Sequence, residues 1–420
     1  MSEAGGKYRR DMGTLGVLFI VVNGLIGAGI FGLPELLHGA VGGFAPWLLL
    51  VGGLLVMSIV LCFAELTRLT DRSGGPQRFV TDAFGRFAGF EVGWTFYAAR
   101  MLSQAANSAV LIAYAAAIWP VLGDGIARGT AIVTVLAALT IINIVGIRRV
   151  VAALGAMTAL KLVPLILLAL VALVASAAPG EVALPRLEAV EGIALATLYA
   201  FVGFENATIP AGETREPRRA MPRALLIGLP VVTLLYFALQ WAYSASPIAG
   251  SGPEAPVVEL ARLHWGDVGA LLIAATVVMS VLANMTAGHT SASRMTPAMA
   301  DDGLLPGWFG RVSRWGTPAN SIAFFGVGSA AFALSGTFAG LAAISTLARL
   351  LAYIGSIFAL PRLRRGAGLT ALTPTIVLAA PVALGLSLWA TFQTTAVMWQ
   401  TLAAFALVGA VLFALARRAR

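Results

Sequence analysis

Apolar residues in this chain do not alternate, and they do not form one-sided stripes. They run on for whole helices, broken by short segments rich in Gly, Pro and Arg. A helix that crosses a bilayer needs roughly 20 predominantly apolar residues. Splitting the chain at its charged or Gly/Pro-rich breaks predicts twelve such spans, near 13–37, 44–67, 88–118, 129–147, 150–176, 190–212, 221–245, 267–294, 319–336, 339–361, 374–391 and 395–416. The first run is too long for a signal peptide and lacks a small-residue cleavage site, so it reads as a retained helix. Twelve spans in 420 residues leave no room for a sizeable soluble domain. The expected class is an all-α integral membrane protein.

Composition agrees: the chain is 59% hydrophobic and 11% charged, against about 45–50% and about 25% for a soluble domain. A single cysteine, Cys62, rules out a disulfide scaffold. The net charge of +9 suggests nucleic acid until its distribution is read. With the N-terminus placed in the cytoplasm, 22 of the 28 Lys and Arg fall on inward segments, among them Arg68, Arg78, Arg148, Arg218, Arg364 and Arg418. Only Arg128, Arg186 and Arg262 fall outside. That is the positive-inside pattern, with both termini cytoplasmic, and not a nucleic-acid footprint. The short loops suggest a plasma (inner) membrane.

The first span contains Gly27-x-Gly29-x-x-Gly32, which matches a dinucleotide fingerprint by letter. It lacks the preceding strand and the carboxylate about 20 residues on that such a site requires. Mid-span glycines and Pro34 instead weaken the helix, and unwound backbone at that depth survives only when buried in protein or lining a polar cavity. The sixth span is interrupted in the same way over Tyr199-Ala-Phe-Val-Gly203-Phe-Glu205-Asn-Ala-Thr-Ile-Pro210. Each interrupted span opens a block of five helices, and the two blocks start from opposite sides of the membrane. Paired breaks in inverted halves point to a transporter with a midplane site. Two Gly-rich packing helices are the simpler alternative; the carboxylate inside the second break argues against it.

At this point the sequence resembles the amino acid–polyamine–organocation (APC) superfamily over nearly its whole length. Gly24-Leu-Ile-Gly-Ala-Gly-Ile-Phe is similar to its first-helix signature, and Gly74-Gly-Pro, Gly85-Arg-Phe and Gly93-Trp94 to its entry into the third helix. Phe201-Val-Gly-Phe-Glu205, Gly212-Glu-Thr-Arg-Glu-Pro217-Arg-Arg and Pro222 resemble its sixth helix and the loop after it. Ser293-Arg294, Ala298-Met-Ala-Asp-Asp-Gly303, Leu305-Pro306 and Thr317-Pro318 resemble the end of its eighth. The resemblance implies a five-plus-five inverted repeat of the LeuT type, over 13–176 and 190–361, with two further helices over 374–416. It also implies transport of amino acids or related amines.

Ionisable groups inside a membrane are costly and are functional candidates by default. Counting along the spans at 1.5 Å per residue puts Arg100, Lys161, Glu205 and Arg349 near mid-depth. Three cations and one anion leave a surplus of positive charge that suits a carboxylate. The amides of Ile26, Gly27, Ala28 and Gly29, expected to be freed by the break, form a natural anion site. Released carbonyls around Phe201, Val202, Gly203 and Phe204 are expected to accept from an α-amino group. By the resemblance, Tyr199 is the aromatic that closes over the substrate. The resemblance also makes Lys161 a built-in replacement for a sodium ion, coupling transport to protons, and links Glu205 to gating or proton sensing; the simpler reading of Glu205 is a carboxylate satisfied by Arg100 or Arg349. Arg100 either recognises a second carboxylate or pairs with Glu205, the pairing being preferred; Arg349 has no assigned partner. His289 is expected to pack rather than relay protons, and Glu35 to lie in an outer vestibule.

The expected function is secondary active amino acid transport by alternating access, proton-coupled, with neutral aliphatic cargo suggested by the apolar walls of both breaks. Exchange or export, or acidic cargo if Arg100 is free, is the alternative. No HExxH, G-x-S-x-G or P-loop occurs, so neither an enzyme nor an ATP-driven pump is expected. The expected partners are an amino acid and the lipid bilayer, with no metal and no cofactor beyond the coupling proton. A channel or receptor is the competing class.

Overall fold

A computed structural model describes residues 12–70, 74–145, 162–175, 182–211, 214–369, 371 and 373–418. Among them no strand forms; one isolated bridge joins Met12 to Thr214. The helices are α1 (Thr14–Leu25), α2 (Gly29–Gly32), α3 (Pro34–Val41), α4 (Ala45–Leu69), α5 (Pro76–Phe84), α6 (Arg86–Ala116), α7 (Gly125–Val145) and α8 (Leu162–Ala175). They continue with α9 (Leu187–Tyr199), α10 (Pro217–Ser244), α11 (Pro256–Ala292), α12 (Met295–Asp301), α13 (Ala319–Ser335), α14 (Phe338–Gly366), α15 (Pro374–Phe392) and α16 (Ala396–Arg418).

Nine helical stretches among the described residues are long and apolar enough to cross a membrane, fewer than the twelve expected. Two more, α8 and α13, are apolar but shorter. The 31-residue α6 is long enough, yet it carries Arg86, Glu91, Arg100, Gln104 and Asn107. That polar content is the physical reason it does not look like a lipid-facing span. The protein is therefore an all-helical, multi-pass membrane protein.

Pro222, Pro230, Pro361 and Pro381 lie inside helices; other prolines sit where a helix tolerates them. Pro34, Pro76, Pro217, Pro256 and Pro374 occupy first turns, where the missing N–H has no helical partner to lose. Gly266, at φ 66°, bends the long α11 and separates Pro256–Trp265 from the rest of it. The core is built mainly by α4 packing along α10 and by α14 packing along α6. Its large fully buried side chains include Trp94, Phe96, Tyr114, Phe204 and Tyr236. That frame holds the first and sixth spans between its two pairs.

Candidate functional site

Both predicted interruptions are present. The first span stops as α1 at Leu25 and restarts as α2 at Gly29. The sixth stops as α9 at Tyr199, turns through Gly203 at φ 112°, and continues as a single 3₁₀ turn over Phe204–Thr208. The two breaks meet. A Cβ built on Gly24 would collide with the Gly203 carbonyl, and one built on Gly203 with the Gly24 carbonyl. Gly29 likewise faces the Ala200 backbone, 3.0 Å from where its Cβ would be. Glycine is therefore required on both sides, because two backbones occupy the space of side chains.

Buried backbone groups need partners, and the first break finds them on other helices. The Leu25 carbonyl accepts from Tyr236 Oη of α10 at 2.6 Å. The Asn23 carbonyl accepts from Asn284 Nδ2 of α11 at 2.5 Å. The Ala28 N–H donates to Asn107 Oδ1 of α6 at 3.1 Å. Asn107 Nδ2 in turn donates to Asn284 Oδ1 at 3.0 Å, so two carboxamides brace the break together. Beyond it, Tyr114 Oη donates to the Phe31 carbonyl and Gln240 Nε2 to that of Pro34.

The expectation that the Ile26 to Gly29 amides are free is thus corrected for three of the four. Ile26 N still reaches the Val22 carbonyl, Gly27 N bonds to that of Leu25, and Ala28 N is held by Asn107. Of the carbonyls expected to be released in the sixth span, that of Gly203 accepts from Asn206 N at 3.2 Å. Phe201, Val202 and Phe204 are buried. Tyr199 sits where the breaks meet, buried, with its hydroxyl 3.5 Å from Asn107 Oδ1 and its ring edge-on to Phe338.

The second break supplies its own anion. Glu205, 0% exposed, accepts from the Gly203 N–H at 2.8 Å, from Arg349 Nε at 2.9 Å and from Tyr353 Oη at 2.8 Å. Arg349 and Tyr353 lie one turn apart on α14 and so reach the same carboxylate. Arg349 also donates to the Ala99 carbonyl at 3.4 Å, Ser103 at 2.9 Å, and Ser345.

Of the two candidate partners for Glu205, the structure pairs it with Arg349 and not with Arg100, the preferred one. Arg100 donates to Asn206 Oδ1, to Ser291 Oγ and to the Gly288 carbonyl. Its Nε has no hydrogen-bond partner. Among the described residues it pairs with no carboxylate; Glu205 Oε1 is taken by Arg349 Nε. Each guanidinium carbon lies 5.8 Å from the centre of the Phe96 ring. Two of the four mid-depth charges therefore flank one aromatic ring, and with Glu205 on Arg349 the group carries a formal charge of +1. The fourth, Lys161, lies outside the described residues.

Other expectations resolve more simply. His289 is buried edge-on against Phe325. Glu35, one helix turn beyond the first break, accepts from Gly250 N at 3.1 Å, Gly252 N at 3.0 Å and the Tyr243 hydroxyl. Arg364, counted above as an inward charge, is buried in an ion pair with Glu65. Sequence reasoning missed Asn107, Asn284, Tyr236, Asn206, Ser291 and Tyr353. The available signal was helical spacing of polar residues within apolar helices. On α6 these are Arg100, Ser103, Gln104 and Asn107; on α14 they are Ser345, Arg349 and Tyr353.

Comparison with known proteins fits this arrangement. The chain is 26% identical to the cadaverine/lysine antiporter of Escherichia coli (strain K12) over 323 residues, 74% of this chain and 72% of that protein. It is 25% identical to the D-serine/D-alanine/glycine transporter of Escherichia coli (strain K12) over 333 residues, 76% of this chain and 71% of that protein. The family described as amino acid permease matches residues 12–419. A chain whose interrupted apolar helices meet at buried glycines, and which matches that family almost from end to end, belongs to the amino acid permease family of membrane transporters.

Proposed function

We propose that this permease is a secondary active transporter of neutral aliphatic amino acids, working by alternating access and coupled to protons. In this reading twelve helices form two inverted halves, 13–176 and 190–361, with two additional helices over 374–416. Both termini face the cytoplasm from a plasma (inner) membrane. Cargo binds where the breaks meet: the α-carboxylate on the Ala28 and Gly29 amides, the α-amino group on carbonyls of the 201–204 turn, and Tyr199 over it. The observation that carries the reading is the Gly24–Gly203 contact, which joins two unwound segments deep inside apolar helices.

The walls support the cargo class. Val56, Ile59, Leu198, Phe201, Val202 and Leu350 line the crevice beside the second break, and they suit an aliphatic side chain. The formal +1 of Arg100, Arg349 and Glu205 opposes a cationic one. Glu205 and Arg349 form the gate in this reading, and Lys161 carries the coupling proton. That role for Lys161 rests on its place in an apolar fifth span and on the family resemblance.

Exchange is the second reading, favoured by the antiporter among the relatives. One experiment separates the two: uptake of labelled L-amino acids into proteoliposomes, with and without an inward proton gradient. Accumulation that requires the gradient, replaced in Lys161→Ala by gradient-independent equilibration, is the expected result. Entry only against preloaded amino acid, whatever the gradient, establishes exchange and removes the coupling role.

A further inference from the structure

Asn107 occupies the place that a substrate carboxylate needs. Its Oδ1 takes the Ala28 N–H at 3.1 Å and lies 3.5 Å from the Tyr199 hydroxyl. One oxygen thus faces two donors from the two broken spans. Its orientation is fixed: Nδ2 donates to Asn284 Oδ1, whose own Nδ2 donates to the Asn23 carbonyl. A flipped carboxamide would set donor against donor at Ala28 and acceptor against acceptor at Asn284. The backbone in front is bare. At Gly27 a Cβ would stand 3.6 Å from the Asn284 amide atoms and 3.7 Å from Asn107 Oδ1.

We propose that Asn107 is a resident stand-in for the substrate's α-carboxylate, displaced when cargo binds, and that this exchange selects carboxylate-bearing ligands. The inference rests on the reading that the first break holds that carboxylate. Without cargo, the Asn107 oxygen keeps the Ala28 N–H from being buried unpaired and holds the break in its binding shape. An incoming carboxylate replaces a neutral acceptor with a charged one, and charge-assisted hydrogen bonds are roughly twice as strong as neutral ones. A carboxamide or simple amine brings nothing better than the oxygen it must evict. Asn107 then turns, and its Nδ2 becomes a donor available to the new anion. It is a positioning residue for the break and a selectivity filter for the cargo.

The test is equilibrium binding to the purified full-length protein, using the twenty proteinogenic L-amino acids and the carboxamide of each one that binds. Wild type is expected to prefer acid over amide. Asn107→Ala leaves the Ala28 N–H waiting unpaired, so the acid is expected to bind about tenfold tighter, in line with the penalty on an unsatisfied buried donor. The acid-over-amide preference narrows at the same time. Asn107→Asp plugs the site with a carboxylate of its own and is expected to weaken the acid by at least about tenfold, given the strength of a charge-assisted bond. The acid-to-amide ratio within one sample does not depend on how much of a variant is folded, and damage alone does not tighten binding. Weaker acid binding in Asn107→Ala, or wild-type binding in Asn107→Asp, overturns the stand-in role while leaving the carboxylate site intact. If wild type binds no amino acid, or does not distinguish acid from amide, the carboxylate site itself is wrong and this inference falls with it.

Discussion

The two interrupted helices solve one problem in different ways. The first span opens its backbone, and the side chains that repair it are neutral ones from other helices: Asn107 on α6, Asn284 on α11 and Tyr236 on α10. The second carries its own carboxylate, folds it back onto the Gly203 N–H, and is then locked by Arg349 and Tyr353 of α14. Neutral hydrogen bonds between membrane helices are weak, averaging about 0.6 kcal/mol, so the first break can exchange partners easily. A buried ion pair tolerates no such half-measure, because removing one member strands the other. On the proposed function, the contrast fits ligand exchange at the first break and a lock at the second.

The largest effect is expected at that lock. Arg349→Met leaves Glu205 buried without its cation and should lower stability by about 3–5 kcal/mol. Adding Glu205→Gln should recover most of the loss, because the stranded charge disappears. Thermal unfolding of the single and double variants in detergent measures both. A double variant no better than the single would mean that Arg349 acts through packing.

Gly203→Ala comes next. The methyl group meets the Gly24 backbone and must be held at φ 112°. Overpacking of that kind typically costs about 1–3 kcal/mol, and a left-handed backbone adds about 1–2 kcal/mol for a residue with a Cβ. Uptake in proteoliposomes should be abolished even where the variant can be purified. Near-normal uptake would show that the two backbones separate freely.

A smaller change is expected at the first break. Tyr236→Phe removes the donor to the Leu25 carbonyl and should cost about 0.6 kcal/mol, the average for such bonds in membranes, and no more than about 1.7 kcal/mol, the largest measured. A loss as large as that of Arg349→Met would erase the contrast between the breaks. The smallest effect belongs to the rim, where Arg128 and Glu254 pair at 3.2 Å with both side chains partly exposed. Glu254→Gln should shift stability by less than about 1 kcal/mol and leave uptake unchanged.

Much of this was legible in the chain. Apolar runs announced the helices, and clustered glycines announced both breaks. A charge in an apolar run cannot be overlooked, so Arg100, Glu205 and Arg349 stood out at once. Their pairing was not legible. Arg100 and Arg349 lie on different helices at similar depth, and only the rotation of α14 about its axis decides which one faces Glu205. Asn107 and Asn284 escaped notice because an uncharged amide in a long helix is unremarkable until its partner is known. Of the amides expected to be free, Ile26 and Gly27 turn back onto carbonyls of their own span, and Ala28 is held by Asn107. Sequence shows where a helix breaks, but not which neighbouring side chain repairs it.

The central claim is that cargo sits where the two breaks meet, and a single reactive position tests it. The chain's one cysteine, Cys62, is fully buried; Val202, 9% exposed in this conformation, is opened to solvent by alternating access in the proposed reading, so Val202→Cys provides the reporter in the turn of the second break. The measurement is its rate of modification by a small thiol reagent in proteoliposomes, with and without a saturating transported amino acid. The account predicts that cargo slows modification strongly, in proportion to its occupancy. Modification at the same rate with and without cargo would contradict it and move the binding site elsewhere.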